Sequence, residues 1–148
     1  MAITASGYFG LTLEKQLIDT LGDSLEAEDQ NITLVSDSAT PNFDTHDFWN
    51  DLNANEVTGT NWAAGGVALT GTEITLSGGV LTFDATDVSV ASTTITNAMC
   101  SVLRRTTGAA ATDELFMLHD FVTAVSTSAG TFGIQWHATG LMTIDYTP

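Results

Sequence analysis

Thr131-Phe132-Gly133-Ile134-Gln135-Trp136, followed after a turn by Leu141-Met142-Thr143-Ile144-Asp145-Tyr146, alternates apolar and polar residues at period two. That spacing puts Phe132, Ile134 and Trp136 on one face of a strand, and Met142, Ile144 and Tyr146 on one face of the next, the pattern of a half-buried sheet. Working outward, the same alternation returns in Glu73-Ile74-Thr75-Leu76-Ser77 and Val80-Leu81-Thr82-Phe83-Asp84. Gly78-Gly79 stands between these runs, and glycine reaches the positive φ of a tight hairpin turn without steric cost, so the two runs predict a strand pair. Asn31–Ser36, Asp87–Ala91, Ile95–Arg105 and Glu114–Val125 supply further strands, with Thr106–Asp113 as the loop between the last two.

One segment breaks this grammar. From Gly10 to Leu25, residues Leu11, Leu13, Leu17, Ile18, Leu21 and Leu25 fall within one face of a helix, while Thr12, Lys15, Gln16, Asp19 and Thr20 fall on the other. Gly22 offers an earlier stop. The expected fold class is therefore mainly β: a single antiparallel β-sandwich or jelly-roll-like domain, with the sandwich over 31–146 and one N-terminal α-helix over 10–25. With 148 residues and 43% hydrophobic composition, the chain is long enough to bury one sizeable core, and the expected domain covers 1–148.

Charge narrows the possible partners. Lys15, Arg104 and Arg105 face 18 acidic side chains, a formal net charge of −15. A nucleic-acid binder needs the opposite sign toward phosphate, so direct nucleic-acid binding is not expected. The acidity suits a well-solvated surface or one that docks onto a basic partner. No stretch approaches the ~20 consecutive apolar residues of a membrane span. The opening Met1–Ser6 has neither the basic region nor the apolar core of a signal peptide, so the expectation is a soluble chain made in a cytoplasm. Cys100, alone and within Ala98-Met99-Cys100-Ser101-Val102-Leu103, reads as a small buried hydrophobe.

Three places gather chemistry-bearing side chains. Asp44-Thr45-His46-Asp47, with Asp51 nearby, offers carboxylates and an imidazole, yet it lacks the spacing of a calcium loop and the further His or Cys ligands zinc would take. The expectation there is an Asp or Thr side chain capping a short helical turn through Phe48 and Trp49. His119-Asp120 reads as a polar pair in or beside a strand, and Asp84-Ala85-Thr86-Asp87 as turn chemistry. Gly65-Gly66 lacks the Lys-Ser or Lys-Thr of a phosphate loop and reads as a bulge or sharp bend. No serine stands in a nucleophile elbow, so no catalytic, cofactor or metal residue is assigned and an enzyme is not expected. Arg104 or Arg105 is expected to meet Asp113 or Glu114 across the hairpin as a surface pair worth about 0–1 kcal/mol. The polar segment Ser36–Asn61, longer than the ~12–15 residues usual for an unstructured loop, is the expected place for partner contacts.

Several blocks carry a family resemblance. Ala39-Thr40-Pro41-Asn42-Phe43-Asp44-Thr45-His46-Asp47-Phe48, then Glu56-Val57-Thr58-Gly59-Thr60-Asn61-Trp62-Ala63-Ala64-Gly65-Gly66-Val67, and Leu81-Thr82-Phe83-Asp84-Ala85-Thr86-Asp87-Val88 belong to it. So do Gly108-Ala109-Ala110-Ala111-Thr112-Asp113-Glu114-Leu115, Asp120-Phe121, and Gly130-Thr131-Phe132-Gly133-Ile134-Gln135-Trp136. Together, over Ile32 to Ile144, the sequence resembles a family of small tailed-bacteriophage virion proteins. The helix from Gly10 to Leu25 and the acidic connection after it have no counterpart in the resemblance.

The resemblance implies a non-enzymatic structural component of the particle, and a capsid decoration (cement) protein ahead of other parts. It implies a virion location on the outer capsid surface, the major capsid protein as partner, a homo-oligomer around a symmetry axis, and no cofactor. Phe43, Phe48, Trp49 and Trp62 are then the expected interface anchors, since aromatic side chains dominate interface energetics. The alternatives are a tail or neck component, and a carbohydrate-binding module displayed on the virion, for which Trp49, Trp62 and Trp136 would form a stacking platform.

Overall fold

The computed structural model of the protein describes residues 3–17 and 25–145. Its architecture is mainly β, with antiparallel sheets in a sandwich-like arrangement and one N-terminal helix. Strands β1 (Gly7–Tyr8), β2 (Gln30–Val35), β3 (Glu56–Val57), β4 (Val67–Ala68), β7 (Val88–Arg105) and β8 (Leu115–Ile134) form a six-stranded sheet. Strands β5 (Glu73–Ser77), β6 (Val80–Asp84) and β9 (Met142–Asp145) form a three-stranded one. The order in the large sheet is β1-β8-β7-β2-β3, with β4 sharing the edge of β2 beside β3.

The Gly78-Gly79 hairpin forms as its sequence predicts, pairing Ser77 with Val80, and both glycines have positive φ, 58° and 86°. The two C-terminal runs do follow one another, but they belong to different sheets: Phe132 and Ile134 end β8, whereas Met142 and Ile144 pair with Phe83 and Leu81 of β6. The short connection between them thus carries the chain from one layer to the other. Tyr146 lies outside the described residues.

The large sheet is buried on both faces at its centre. One face packs against the small sheet, bringing Ile32, Leu34, Leu103, Phe116 and Phe132 against Phe83, Ile74 and Met142. On the opposite face, Val35, Cys100, Val102 and Leu118 meet Phe9, Trp49 and Leu52. This two-sided burial explains why 98–103 reads as a mostly apolar run and not as an alternation: each of its residues, Ser101 included, is buried.

Three expectations need correction. The helix α1 spans Gly10–Leu17, and Leu25, expected at its end, stands in a turn; Ile18, Asp19, Thr20, Leu21 and Gly22 lie outside the described residues. Its inner face also differs, since Thr12 is fully buried while Leu17 is 78% exposed. The reason lies just upstream, where Phe9 is buried, and Thr12 follows it by three residues onto the same side of the chain. A two-residue strand, β1, precedes the helix and lies outside the 31–146 boundary; its side chains carry too few residues to show alternation.

The runs Asp87–Ala91 and Ile95–Arg105 are one strand of 18 residues, and Glu114–Val125 continues through Thr131–Ile134 as one of 20. The ribbon they form is repeatedly bulged. Five register shifts fall along it: between Val90 and Thr93, Thr93 and Ile95, Ile95 and Ala98, Ala98 and Cys100, and Leu103 and Arg104. A non-glycine residue with positive φ sits on one strand or the other at each of the first four: Ser92, Ala129, Asn97 and Val122.

Candidate functional site

The long segment after β2 is where partner contacts were expected, and its local structure follows from its polar side chains. Asn42 Oδ1 accepts from the backbone of Asp44 (3.0 Å), and the amide of Asn42 donates to His46 Nδ1 (3.3 Å). Asp51 Oδ2 accepts from the amides of Asp47 (3.1 Å) and Phe48 (3.3 Å), closing a 3₁₀ turn over Trp49–Asp51. The short turn expected through Phe48 and Trp49 is therefore present, but no Asp or Thr side chain caps it: its N-cap is Phe48, its free amides at Trp49 and Asn50 donate to backbone carbonyls of Asp113 and Ala110, and Asp51 reaches back from inside the turn to the two amides before it. Among the described residues no three His, Cys, Asp or Glu side chains converge as a metal site would require.

Beneath this segment lies a charged clamp. Trp49 donates its backbone N–H to Asp113 O (2.8 Å), Asn50 to Ala110 O (3.0 Å), and Leu115 returns one to Asp47 O (2.9 Å). Arg104 pairs with Asp113, with their side chains only 4% and 5% exposed, and its guanidinium lies 5.1 Å from the Trp49 ring centroid. The pair expected at the surface is thus buried, because the 36–55 segment folds over that end of β7. Asp113 Oδ1 also accepts from the amide (2.6 Å) and hydroxyl (2.8 Å) of Thr107, and Arg104 Nη2 donates to Gly65 O (3.1 Å). Gly65 and Gly66 both have positive φ, and a Cβ on Gly66 would lie 2.0 Å from Ile32 O, so this bend admits only glycine against the edge of β2.

Arg105 reaches Asp29 (3.1 Å) and Glu114 (3.6 Å), and Lys15 reaches Asp47 (3.1 Å) while lying 4.2 Å from the Phe48 ring centroid. All three basic side chains are therefore held by carboxylates. The outward field of the protein is negative, and a phosphate or other anion meets no uncommitted cation.

The expected anchors separate into two groups. Trp62 is completely buried, 5.2 Å from Phe132 in an edge-to-face contact, and Trp49 is 4% exposed. Both are core side chains, which corrects their assignment as partner anchors and removes the tryptophan platform a glycan would stack on. Phe43, packed 5.2 Å from Phe9, and Phe48 are half-buried and keep part of their rings accessible. Trp136 is half-buried too; its indole N–H donates to Thr86 O (3.1 Å) and its backbone N–H to Asp87 Oδ1 (2.9 Å). Asp84, by contrast, accepts from the next amide, Ala85, as its turn chemistry predicts.

His119 packs 5.3 Å from Trp136 beside a cleft of about 210 Å³ lined by Tyr8, Met117, His119, Leu141 and Met142. Burial holds its pKa below the ordinary histidine value, against a smaller opposing effect from a hydrogen bond with the Leu141 backbone. The Tyr8 phenol is pushed upward by burial and is held by Gln16, and burial drives the Cys100 thiol up to about 12. Both shifts keep the Tyr8 phenol and the Cys100 thiol protonated at neutral pH, so neither is poised as a nucleophile.

The histidine has a measurable consequence. Because His119 takes up its proton less readily when folded, the unfolded chain binds more protons once the pH drops below the ordinary value of about 6.5. Folding stability should therefore fall as pH decreases through that value and level off below the folded-state pKa. In His119→Gln, urea titrations at successive pH values should show a flatter profile between pH ~7 and ~5; an unchanged slope would remove His119 as the cause.

Comparison of the chain with protein-family models, with curated proteins and with solved structures finds no match. No helix among the described residues is long and apolar enough to cross a membrane.

Proposed function

We propose that the protein is a tailed-bacteriophage virion protein that decorates the outside of the capsid and reinforces it by binding the major capsid protein. The observation that carries this reading is the set of sequence blocks resembling small phage virion proteins, together with where those blocks lie. The block 39–48 meets 108–115 through Leu115 N–H donating to Asp47 O and the Phe48–Glu114 bridge. The blocks 56–67 and 81–88 meet 130–136 through Trp62 against Phe132 and Trp136 on Thr86 and Asp87. The shared residues are framework contacts, which supports a likeness of scaffold rather than of a single loop. The committed cations and the inert Cys100 and Tyr8 add support for a binding role over a chemical one.

On this reading the accessible aromatics of the long segment, Phe43 and Phe48, touch the shell, and many weak contacts around a symmetry axis add up to durable attachment. Particles made without the protein should package DNA but release it sooner on heating or at low salt. Phe48→Ala should reduce incorporation into particles more than neutralising any one surface carboxylate. Tailless particles with unchanged head stability after deletion would overturn the decoration reading in favour of a tail or neck component.

A further inference from the structure

The two longest strands carry no charge over most of their length. Residues 88–103 and 121–144 contain no Asp, Glu, Lys or Arg, in a chain whose net charge is −15. Within this stretch β8 is an open edge. Among the described residues its only outer neighbour is β1, at Met117 and Leu118, and no strand lies on its outer side from Val122 to Thr131. The other side of the ribbon is covered, because Thr60 bridges Thr94 and Asn61 Nδ2 donates to Ala91 O and Ser92 O.

The open edge also displays apolar side chains. Val122 is 79% exposed and Val125 37%, next to a groove of about 260 Å³ lined by Phe121, Val125, Phe132 and Ile134. Val122 has φ 66°, a left-handed conformation that is sterically costly for a β-branched residue. Native edges are ordinarily blunted with charge or proline, and neither is present from 121 to 144. The bulges at Val122 and Ala129 leave Thr123–Ser128 between them as the stretch free to pair.

Charge decides what can cover it. A basic partner would be drawn to the carboxylate-bearing surfaces and gain nothing from this ribbon. A second copy of the chain carries the same net charge of −15, and along this edge it meets no charge of its own sign. We propose that two copies associate by antiparallel pairing of their β8 edges over Thr123–Ser128, extending the large sheet across a two-fold axis. The inference deepens the decoration reading, which supplies its setting, but it concerns the isolated protein and can fail separately.

Sedimentation velocity of the full chain across concentration should reveal a monomer–dimer equilibrium that tightens with added salt, because screening weakens repulsion between the two acidic bodies. Val125→Lys places like charges across the axis and should raise the dissociation constant by about 10-fold or more. An equimolar mixture of Val125→Lys and Val125→Glu chains should restore dimers, seen as the mixed species by native mass spectrometry. Circular dichroism checks that both variants fold. If Val125→Lys is unfolded, Thr123→Lys with Thr123→Glu takes its place. A monomer at every concentration and salt, or a dimer indifferent to the edge charges, would overturn the pairing. Loss of DNA from particles lacking the protein bears on the decoration reading alone.

Discussion

Trp62→Ala should lower folding stability by about 3–5 kcal/mol, as truncation of a fully enclosed aromatic does when its surroundings cannot collapse. Trp62 has no exposed surface and packs edge-to-face on Phe132 within the core shared by the two sheets. A domain of ordinary stability has only about 5–15 kcal/mol in total, so this one substitution consumes much of it. Chemical unfolding should show a lower midpoint with little change in slope. The indole N–H of Trp62 has no hydrogen-bond partner, so Trp62→Phe, which keeps most of the ring and deletes that buried donor, should cost much less. Equal losses from Ala and Phe would mean that the cavity is not the cause.

Asp113→Ala should be comparably severe, about 3–5 kcal/mol, because it leaves the Arg104 guanidinium buried without its carboxylate. The remaining hydrogen bonds of Arg104, to Gly65 O and Arg105 O, are to carbonyls that satisfy donors but do not neutralise charge, and the Trp49 ring only partly offsets it. Replacing both members, as in Arg104→Met/Asp113→Ala, should recover a large part of the loss, since no buried charge is then left alone. A double-mutant cycle measures this directly. If the two single losses simply add, Asp113 acts through Thr107 and the loop backbone, not through Arg104.

The layers of the fold were legible where local chemistry had one solution. Gly78-Gly79 between two alternating runs marked the β5–β6 hairpin, and Phe132 and Ile134 marked the buried face of β8, whereas Trp136 falls just past the strand's end and is half-buried. The inward face of α1 was not legible, because it is set by Phe9 docking at one end. A buried Thr12 and an exposed Leu17 invert what hydropathy suggests. Nor could the ribbon's bulges be read, since Ser92, Asn97, Val122 and Ala129 include no glycine to signal positive φ.

At the candidate site, the structure folds the long polar segment over the end of β7 and turns Trp49 and Trp62 inward. A tryptophan in a polar stretch looks like a surface anchor, yet Trp49 is drawn inward by the Asp113 carbonyl and the Arg104 guanidinium, and both partners are distant in sequence. The paired basic residues at the end of an apolar strand were the available signal. On a sheet buried on both faces, one of two consecutive arginines has to enter the protein.

The strand pairings also set the order in which a growing chain can fold. β2 finds its long partner only when Cys100–Arg105 has been made, and β1 waits for Met117 and Leu118. Until then Ile32, Leu34 and Val35 have only the two-residue strands β3 and β4 to pair with, so core closure comes late in synthesis. Polypeptides cut short before Cys100–Arg105 are therefore the species in which this apolar strand stays without its long partner.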